Sequence, residues 1–434
     1  MTETLTGTPS STLQVREAAS RSLALEGFQG SFGSKTRSFP SDRIWKAFRD
    51  LGSMLWLDTG DFDAVSKLWT AEFTHATTNN TLVNQEIQKG HYDDLIVQCA
   101  ARLRGADPSI SGEELVREVG FILNCRVALR LVGAFDAHVS VELHPAVARD
   151  VNATVHLARR YYAVCPERFL VKIPMTPAGF LSVRQVAAEG IPINYTLGFS
   201  ARQNCLAAVV SKPRFVNVFM GRLNQFVTEA GLGDGKYVGE KATLATQLAL
   251  WRLRDDAGGE GAHLIGASTR SAEQVIDLAG LDVFTLPPKV AADLNENLLK
   301  TPARLSSCAH RSFDVKLSPG VKPEEVGLSN LWTVSHDFKH AIQDLAKDPA
   351  ALSSPRDLVA FLRARGFGDM FHDWSEAELR QLREDGKIPK FERWKDGLKS
   401  GEIGLDDLMS VSALESFATD QGALDARIRS LAAV

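Results

Sequence analysis

Phe169-Leu170-Val171-Lys172-Ile173-Pro174-Met175-Thr176 is an apolar run of strand length, followed by a helical pattern from Pro177 to Ala188 and a second short run from Ile193 to Thr196. Strand, helix and strand in succession imply parallel strands joined by a right-handed crossover. Near-continuous apolar residues mark strands buried on both faces. Lys172 interrupts that pattern. An ammonium placed there loses most of its hydration, and burial pushes the amine towards its neutral form. Only the unprotonated nitrogen attacks a carbonyl, so Lys172 is a candidate Schiff-base nucleophile. Taken alone, a lone interior lysine is more often paired with a carboxylate or reaching for solvent. The rest of the chain reverses that preference.

The same alternation extends in both directions. Short runs at Met54–Leu57, near Phe73, and at Val139–Glu142 precede the lysine strand. Phe215–Phe219, Leu264–Ala267 and Val283–Leu286 follow the strand Ile193–Thr196. Helical patterns separate them: Glu113–Leu131, Pro145–Tyr162, Ala201–Val210, Lys241–Arg254 and Ser271–Leu278. Eight strands spread over roughly 230 residues match a (β/α)8 TIM barrel, which takes about 250. A doubly wound open sheet is the alternative, but none of the first turns carries its glycine-rich signature. The expected organisation is a flexible arm over residues 1–40, a catalytic barrel over 41–295, and a helical extension over 296–434 packed on the barrel. The extension shows helical stretches at Asp357–Arg365, Glu376–Glu384 and Ala413–Leu431.

Composition narrows the function. The chain has 434 residues, is 44% hydrophobic and 24% charged, and carries a net charge of -4. That balance gives no electrostatic pull towards nucleic acid or a membrane surface. No run of about eighteen apolar residues occurs, so no membrane span is expected. The first residues lack the basic start and apolar core of a secretory signal. Cys99, Cys125, Cys165, Cys205 and Cys308 are isolated, without metal or redox spacing, which fits free thiols in a reducing cytoplasm. His336 and His340 form a helical pair without a third ligand nearby, so no metal is expected. Gly231-Leu232-Gly233-Asp234-Gly235-Lys236 lacks the spacing of a phosphate loop and reads as a surface turn.

Reactive residues of a barrel lie at the C-terminal ends of its strands and in the loops that follow. Polar residues collect there: Asp58, Thr78 and Asn79, Glu142, Lys172, Asn194 and Thr196, Arg222, Ser268 and Arg270. Asp, Asn, Ser and Thr before a helix are commonly caps. Recurrence on nearly every strand, around one lysine and two carboxylates, exceeds what capping requires. An amine nucleophile, acid/base carboxylates, amides for hydroxyls and arginines for an anionic tail make up a Schiff-base aldol site.

Lys172-Ile173-Pro174-Met175-Thr176-Pro177-Ala178-Gly179 and Ile193-Asn194-Tyr195-Thr196-Leu197-Gly198-Phe199-Ser200 resemble the lysine and fifth-strand motifs of the transaldolase family. Trp56-Leu57-Asp58, Ala76-Thr77-Thr78-Asn79, Val141-Glu142, Phe219-Met220-Gly221-Arg222 and Gly266-Ala267-Ser268-Thr269-Arg270 match in order, so the resemblance covers roughly Ile44 to Leu294. The resemblance implies a cofactor-free enzyme that carries a dihydroxyacetone unit between sugar phosphates of the non-oxidative pentose phosphate pathway. Lys172 would form the Schiff base, Asp58 would take and return the proton of the cleaved bond, and Glu142 would act through a water held with Thr196. Asn79 and Asn194 would bind enamine hydroxyls, and Arg222, Ser268 and Arg270 would hold the phosphate. The resemblance also implies a homodimer.

Three positions bear on that reading. Asn80 stands where most members carry proline, and Asn217 where shorter members carry serine, so Asn217 would reshape the donor site. Phe219 follows the transaldolase habit, whereas related sugar-phosphate aldolases tend to tyrosine. The alternatives are an aldolase or transaldolase of the same fold acting on a sugar phosphate or a sulfonated sugar, and a non-catalytic barrel that binds sugar phosphate.

Overall fold

The structure is a computed structural model describing residues 11–28, 38–300 and 305–434. Eight parallel strands close into a barrel in sequence order: β1 (Met54–Asp58), β2 (Phe73–Thr77), β3 (His138–Glu142), β4 (Phe169–Pro174), β5 (Ile193–Thr196), β6 (Phe215–Phe219), β7 (His263–Ala267) and β8 (Val283–Leu286). β8 returns to pair with β1 through Met54↔Val283. This is the (β/α)8 architecture that the alternating pattern predicts. Every residue of β4, Lys172 included, is buried.

Register aligns the chemistry. Glu142 stands opposite Lys172, and Lys172 opposite Asn194, so three polar side chains on neighbouring strands share one level. One level down the barrel is plugged with rings. Trp56 stacks on His75 with centroids 4.4 Å apart and meets the edge of Phe215 at 4.9 Å. His75 also stacks on His138 at 4.7 Å. Side chains alternate along a strand, so Asp58, Thr77, Ser140 and Asn217, each two residues beyond one of these rings, face the same interior.

The helices begin where side chains cap them. Thr176 accepts from the Gly179 N–H, with Pro177 at the first helical position of Pro177–Ala188. Ser200 and Ser271 cap the helices after β5 and β7 in the same way. Between β2 and β3 the chain inserts three helices, Asn80–Gln88, Asp93–Ala106 and Gly112–Phe135. Of these the sequence reading foresees the last. Ala201–Val210, expected as one helix, is α-helical to Leu206 and continues as a π-helical turn over Ala207–Ser211.

The N-terminal helix Ser11–Leu25 packs against Gly112–Phe135, where the Ser20 hydroxyl meets Glu118 at 2.5 Å. Leu23 and Ala24 lie in the core. The expectation of a flexible arm, where it falls on residues 1–10 and 29–37, lies outside the described residues. Helix Pro288–Lys300 runs across the expected boundary at 295.

The helix Leu405–Leu431 begins earlier than the sequence pattern suggests and crosses the C-terminal mouth of the barrel. Arg202, after β5, forks onto Asp406 at 2.8 and 2.7 Å and reaches Asp369 at 2.7 Å. The Ser410 hydroxyl donates to the Leu197 carbonyl at 2.7 Å. Beyond the mouth, the Asn80 amide donates to Gln421 at 2.9 Å, Thr81 bonds Asp420, and Arg427 pairs with Asp93 at 2.7 Å. The helix is thus tied down on both sides of the opening.

Candidate active site

A cavity of about 170 Å³ opens at the C-terminal ends of the strands. Asp58, Asn79, Lys172, Asn194, Asn217, Phe219, Arg222, Ser268 and Arg270, all expected from sequence, line it together. Glu142 and Thr196 are not in its lining; they are buried on the strands either side of β4. Lys172 is 3% exposed, and its Nζ lies 3.5 Å from Glu142 Oε2. Glu142 Oε2 and Thr196 Oγ1 are buried and find no hydrogen-bond partner among the described residues.

The two carboxylates are destabilised as anions. Burial raises Glu142 above its ordinary value, opposed mainly by the field of Lys172. Burial likewise raises Asp58, opposed by Lys172 and Arg270. Both groups therefore keep protons more readily than free carboxylates do, which suits proton transfer near neutrality.

The amides form a relay. Asn194 donates to Ser140 Oγ at 2.9 Å and accepts from Asn217 at 3.3 Å. Asn217 Oδ1 in turn accepts the Gly198 N–H at 3.2 Å. The amide at 217 thus joins the fifth strand to the loop that follows it, a bridge a serine is too short to make. Asn79 plays the commoner part as well: its Oδ1 caps helix Asn80–Gln88 through the Leu82 N–H.

Backbone strain marks the same rim. Leu197 and Ser268 hold φ of 64° and 59°, which costs a non-glycine residue about 1 kcal/mol or more. At Gly198 a Cβ would lie 2.3 Å from the Asn217 carbonyl, and at Gly221 it would lie 2.1 Å from the Ser268 carbonyl. Glycine at 221 lets β6 and β7 approach, which sets Arg222 beside Arg270. Arg222 is 6% exposed. Burial first, and then Arg270, bring its guanidinium down to about 10. Burial also lowers Arg270, against the pull of Asp58.

Sequence reasoning missed several lining residues. Thr77 and Thr285, bonded at 3.0 Å, sit on β2 and β8, where strand position could have found them. Lys387 and Phe417 come from the extension, and no motif announces them. The Phe417 ring lies 5.9 Å from Lys172 Nζ and 5.6 Å from the Arg222 guanidinium. His336 and His340 touch each other at 3.0 Å, and no group of metal-ligating side chains occurs among the described residues. The five cysteines are free and buried. No helix among the described residues is long and apolar enough to cross a membrane.

A closed (β/α)8 barrel with a buried lysine–carboxylate pair beside a basic cluster at its mouth is a lysine-centred barrel of the kind enzymes use. The model of the family described as Transaldolase/Fructose-6-phosphate aldolase matches residues 55–348, and the chain belongs to that family. It is 29% identical over 307 residues to a transaldolase of Xanthomonas oryzae pv. oryzae (strain PXO99A), covering 69% of this chain and 87% of that protein. A transaldolase of Xanthomonas euvesicatoria pv. vesicatoria is 30% identical over 262 residues, 58% of this chain and 79% of that one. A transaldolase of Xanthomonas campestris pv. campestris (strain B100) is 30% identical over 266 residues, 59% and 80% of the two chains.

Proposed function

We propose that this chain is a cofactor-independent transaldolase. It moves a dihydroxyacetone unit from sedoheptulose 7-phosphate or fructose 6-phosphate to glyceraldehyde 3-phosphate or erythrose 4-phosphate, a reaction of the non-oxidative pentose phosphate pathway. The observation that carries the reading is the buried Lys172 nitrogen, 3.5 Å from Glu142, reaching a cavity that Asp58, Arg222 and Arg270 also line.

Lys172 gives up a proton towards Glu142, and its nitrogen attacks the donor ketone. Glu142, acting through a water shared with Thr196, then assists loss of the carbonyl oxygen as water. Asp58 takes the proton from the hydroxyl beside the bond to be broken. The carbon–carbon bond cleaves, its electrons pass into the iminium, and the aldehyde product departs. The enamine left on Lys172 attacks the acceptor aldehyde, and Asp58 returns the proton to the new hydroxyl. Water then releases the product ketose from Lys172. Asn79, Asn194 and Asn217 orient the hydroxyls; Arg222, Ser268 and Arg270 hold the phosphate.

Transfer requires that the enamine outlive the departure of the first product without meeting water. Phe219 and Phe417 supply apolar cover at the cavity, and Phe417 stands over the lysine. That cover favours transfer over simple aldol release. Incubation with fructose 6-phosphate and borohydride, followed by intact-mass spectrometry and peptide mapping, should place a stable three-carbon adduct on Lys172. An unmodified lysine under these conditions, with the fold intact, would overturn the reading.

A further inference from the structure

The basic end of the cavity is not built by the barrel alone. After helix Glu376–Asp385, Gly386 adopts φ 86° and ψ -140°, a conformation open essentially to glycine. This turn brings Lys387 into the cavity lining alongside Arg222, Ser268 and Arg270. The turn is held from two directions. The Gly386 carbonyl accepts the Ser412 hydroxyl of the crossing helix at 3.4 Å, and the Lys387 carbonyl accepts an N–H of Arg222 at 3.2 Å. Lys387 is therefore coupled directly to an arginine of the barrel, while its side chain remains exposed.

The charges around it are only partly balanced: Asp58 attracts Arg270, and Asp420 and Glu142 attract Arg222, without a close ion pair. Arg222, Arg270 and Lys387 make no ion pair among the described residues, although Arg222 is almost wholly buried. Arg222 and Arg270 also repel one another. A cluster of this kind gains most from an anion of matching charge. A phosphate monoester carries about -1.5 to -2 at neutral pH, and its second ionisation lies near 6. A sulfonate carries a single charge.

We propose that Lys387 is a third cation of the substrate's anion site, and that it makes the site select a phosphate monoester dianion over a sulfonate monoanion. The inference rests on the transaldolase reading for the identity of the substrate, and it narrows that substrate's tail to phosphate. The helical extension thereby supplies a specificity residue that the barrel lacks.

Glycerol 3-phosphate and 2,3-dihydroxypropane-1-sulfonate have similar three-carbon frames but no carbonyl, so their binding needs no Schiff base. Calorimetric titration at about pH 7.5 should show the whole protein binding the phosphate at least about tenfold more tightly than the sulfonate. Lys387→Gln should weaken phosphate binding about five- to tenfold and sulfonate binding about twofold. Lys390→Gln, a charge control on the same loop but outside the lining, should match the parent. Lowering the pH to about 5.5 protonates the phosphate and should weaken its binding more in the parent than in Lys387→Gln. Equal losses for both ligands, no loss, or a parent that does not bind glycerol 3-phosphate overturns the proposal. Failure of the Schiff-base reading shows separately, as a missing borohydride adduct on Lys172 while these affinities hold.

Discussion

The floor and the mouth of the barrel are built at successive levels of the same strands and the segments that follow them, yet they solve opposite problems. At the floor, Trp56, His75, His138 and Phe215 fill the interior with stacked and edge-on rings. Burial there holds His75 well below its ordinary value, so the imidazole stays neutral and packs as a ring. At the mouth, Asp58, Glu142, Arg222 and Arg270 are all pushed towards their neutral forms by burial. Attraction between opposite charges opposes that push on the carboxylates and on both arginines. The floor spends its positions on packing, whereas the mouth holds reactive charge where solvent would otherwise spread it. The contrast shows how one barrel keeps its stability and its chemistry on separate levels.

Substitutions can break this separation. The largest expected effect is at the mouth: Lys172→Ala should abolish borohydride capture and lower turnover by at least about 10⁴-fold. Its urea midpoint should move little, because the change removes a charge rather than a packed ring. An unfolded variant would instead make Lys172 part of the floor's work. Next comes the floor itself: Trp56→Ala should cost about 3–5 kcal/mol in equilibrium unfolding, the usual range for truncating a buried aromatic. The fraction that folds should still form the adduct on Lys172, and loss of capture in that fraction would join the two levels.

The effect that is smallest per pH unit sharpens the contrast at the root of the crossing helix. Asp407 is buried, accepts the His372 N–H and the Trp374 indole N–H, and is pushed up to about 8. Its folded-state value exceeds the unfolded one, so the unfolded chain releases this proton first as pH rises. The stability contribution is complete below the ordinary 3.8 and is lost progressively up to about pH 8. Asp407→Asn should remove that dependence. The variant should gain on the parent by up to about 1.4 kcal/mol per pH unit across this window, read from urea unfolding at a series of pH values. Parallel stability curves would show that the parent carboxyl is ionised throughout.

The strands were legible because each buries both faces and is bounded by turn residues, so their apolar runs stand out. Asp58, Lys172, Asn194 and Arg222 were legible as polar residues placed where such a run ends. Helix Asp93–Ala106 went unread although Ile96, Cys99, Ala100 and Leu103 form its buried stripe, because that stripe is narrow. Phe417 was illegible for the opposite reason. The first half of Leu405–Leu431 is buried nearly all round, between the mouth beneath it and its neighbouring helices, and so shows no one-sided pattern. Asn80 was visible as a departure from proline, but its meaning lay in Gln421, 341 positions away. Contacts of that separation leave no trace in local spacing. Lys387 had only the preceding glycine to mark it.

The crossing helix also sets an order in time. Asp58 and Phe417 are about 360 residues apart, so at roughly 5–20 residues per second a ribosome needs about 20 to 70 s to pass from one to the other. Over the last 131 residues of that interval, after β8 ends at Leu286, every strand of the barrel has been made while its mouth still lacks the phenylalanine that stands over Lys172. The nascent chain thus acquires Lys172 well before the ring that covers it.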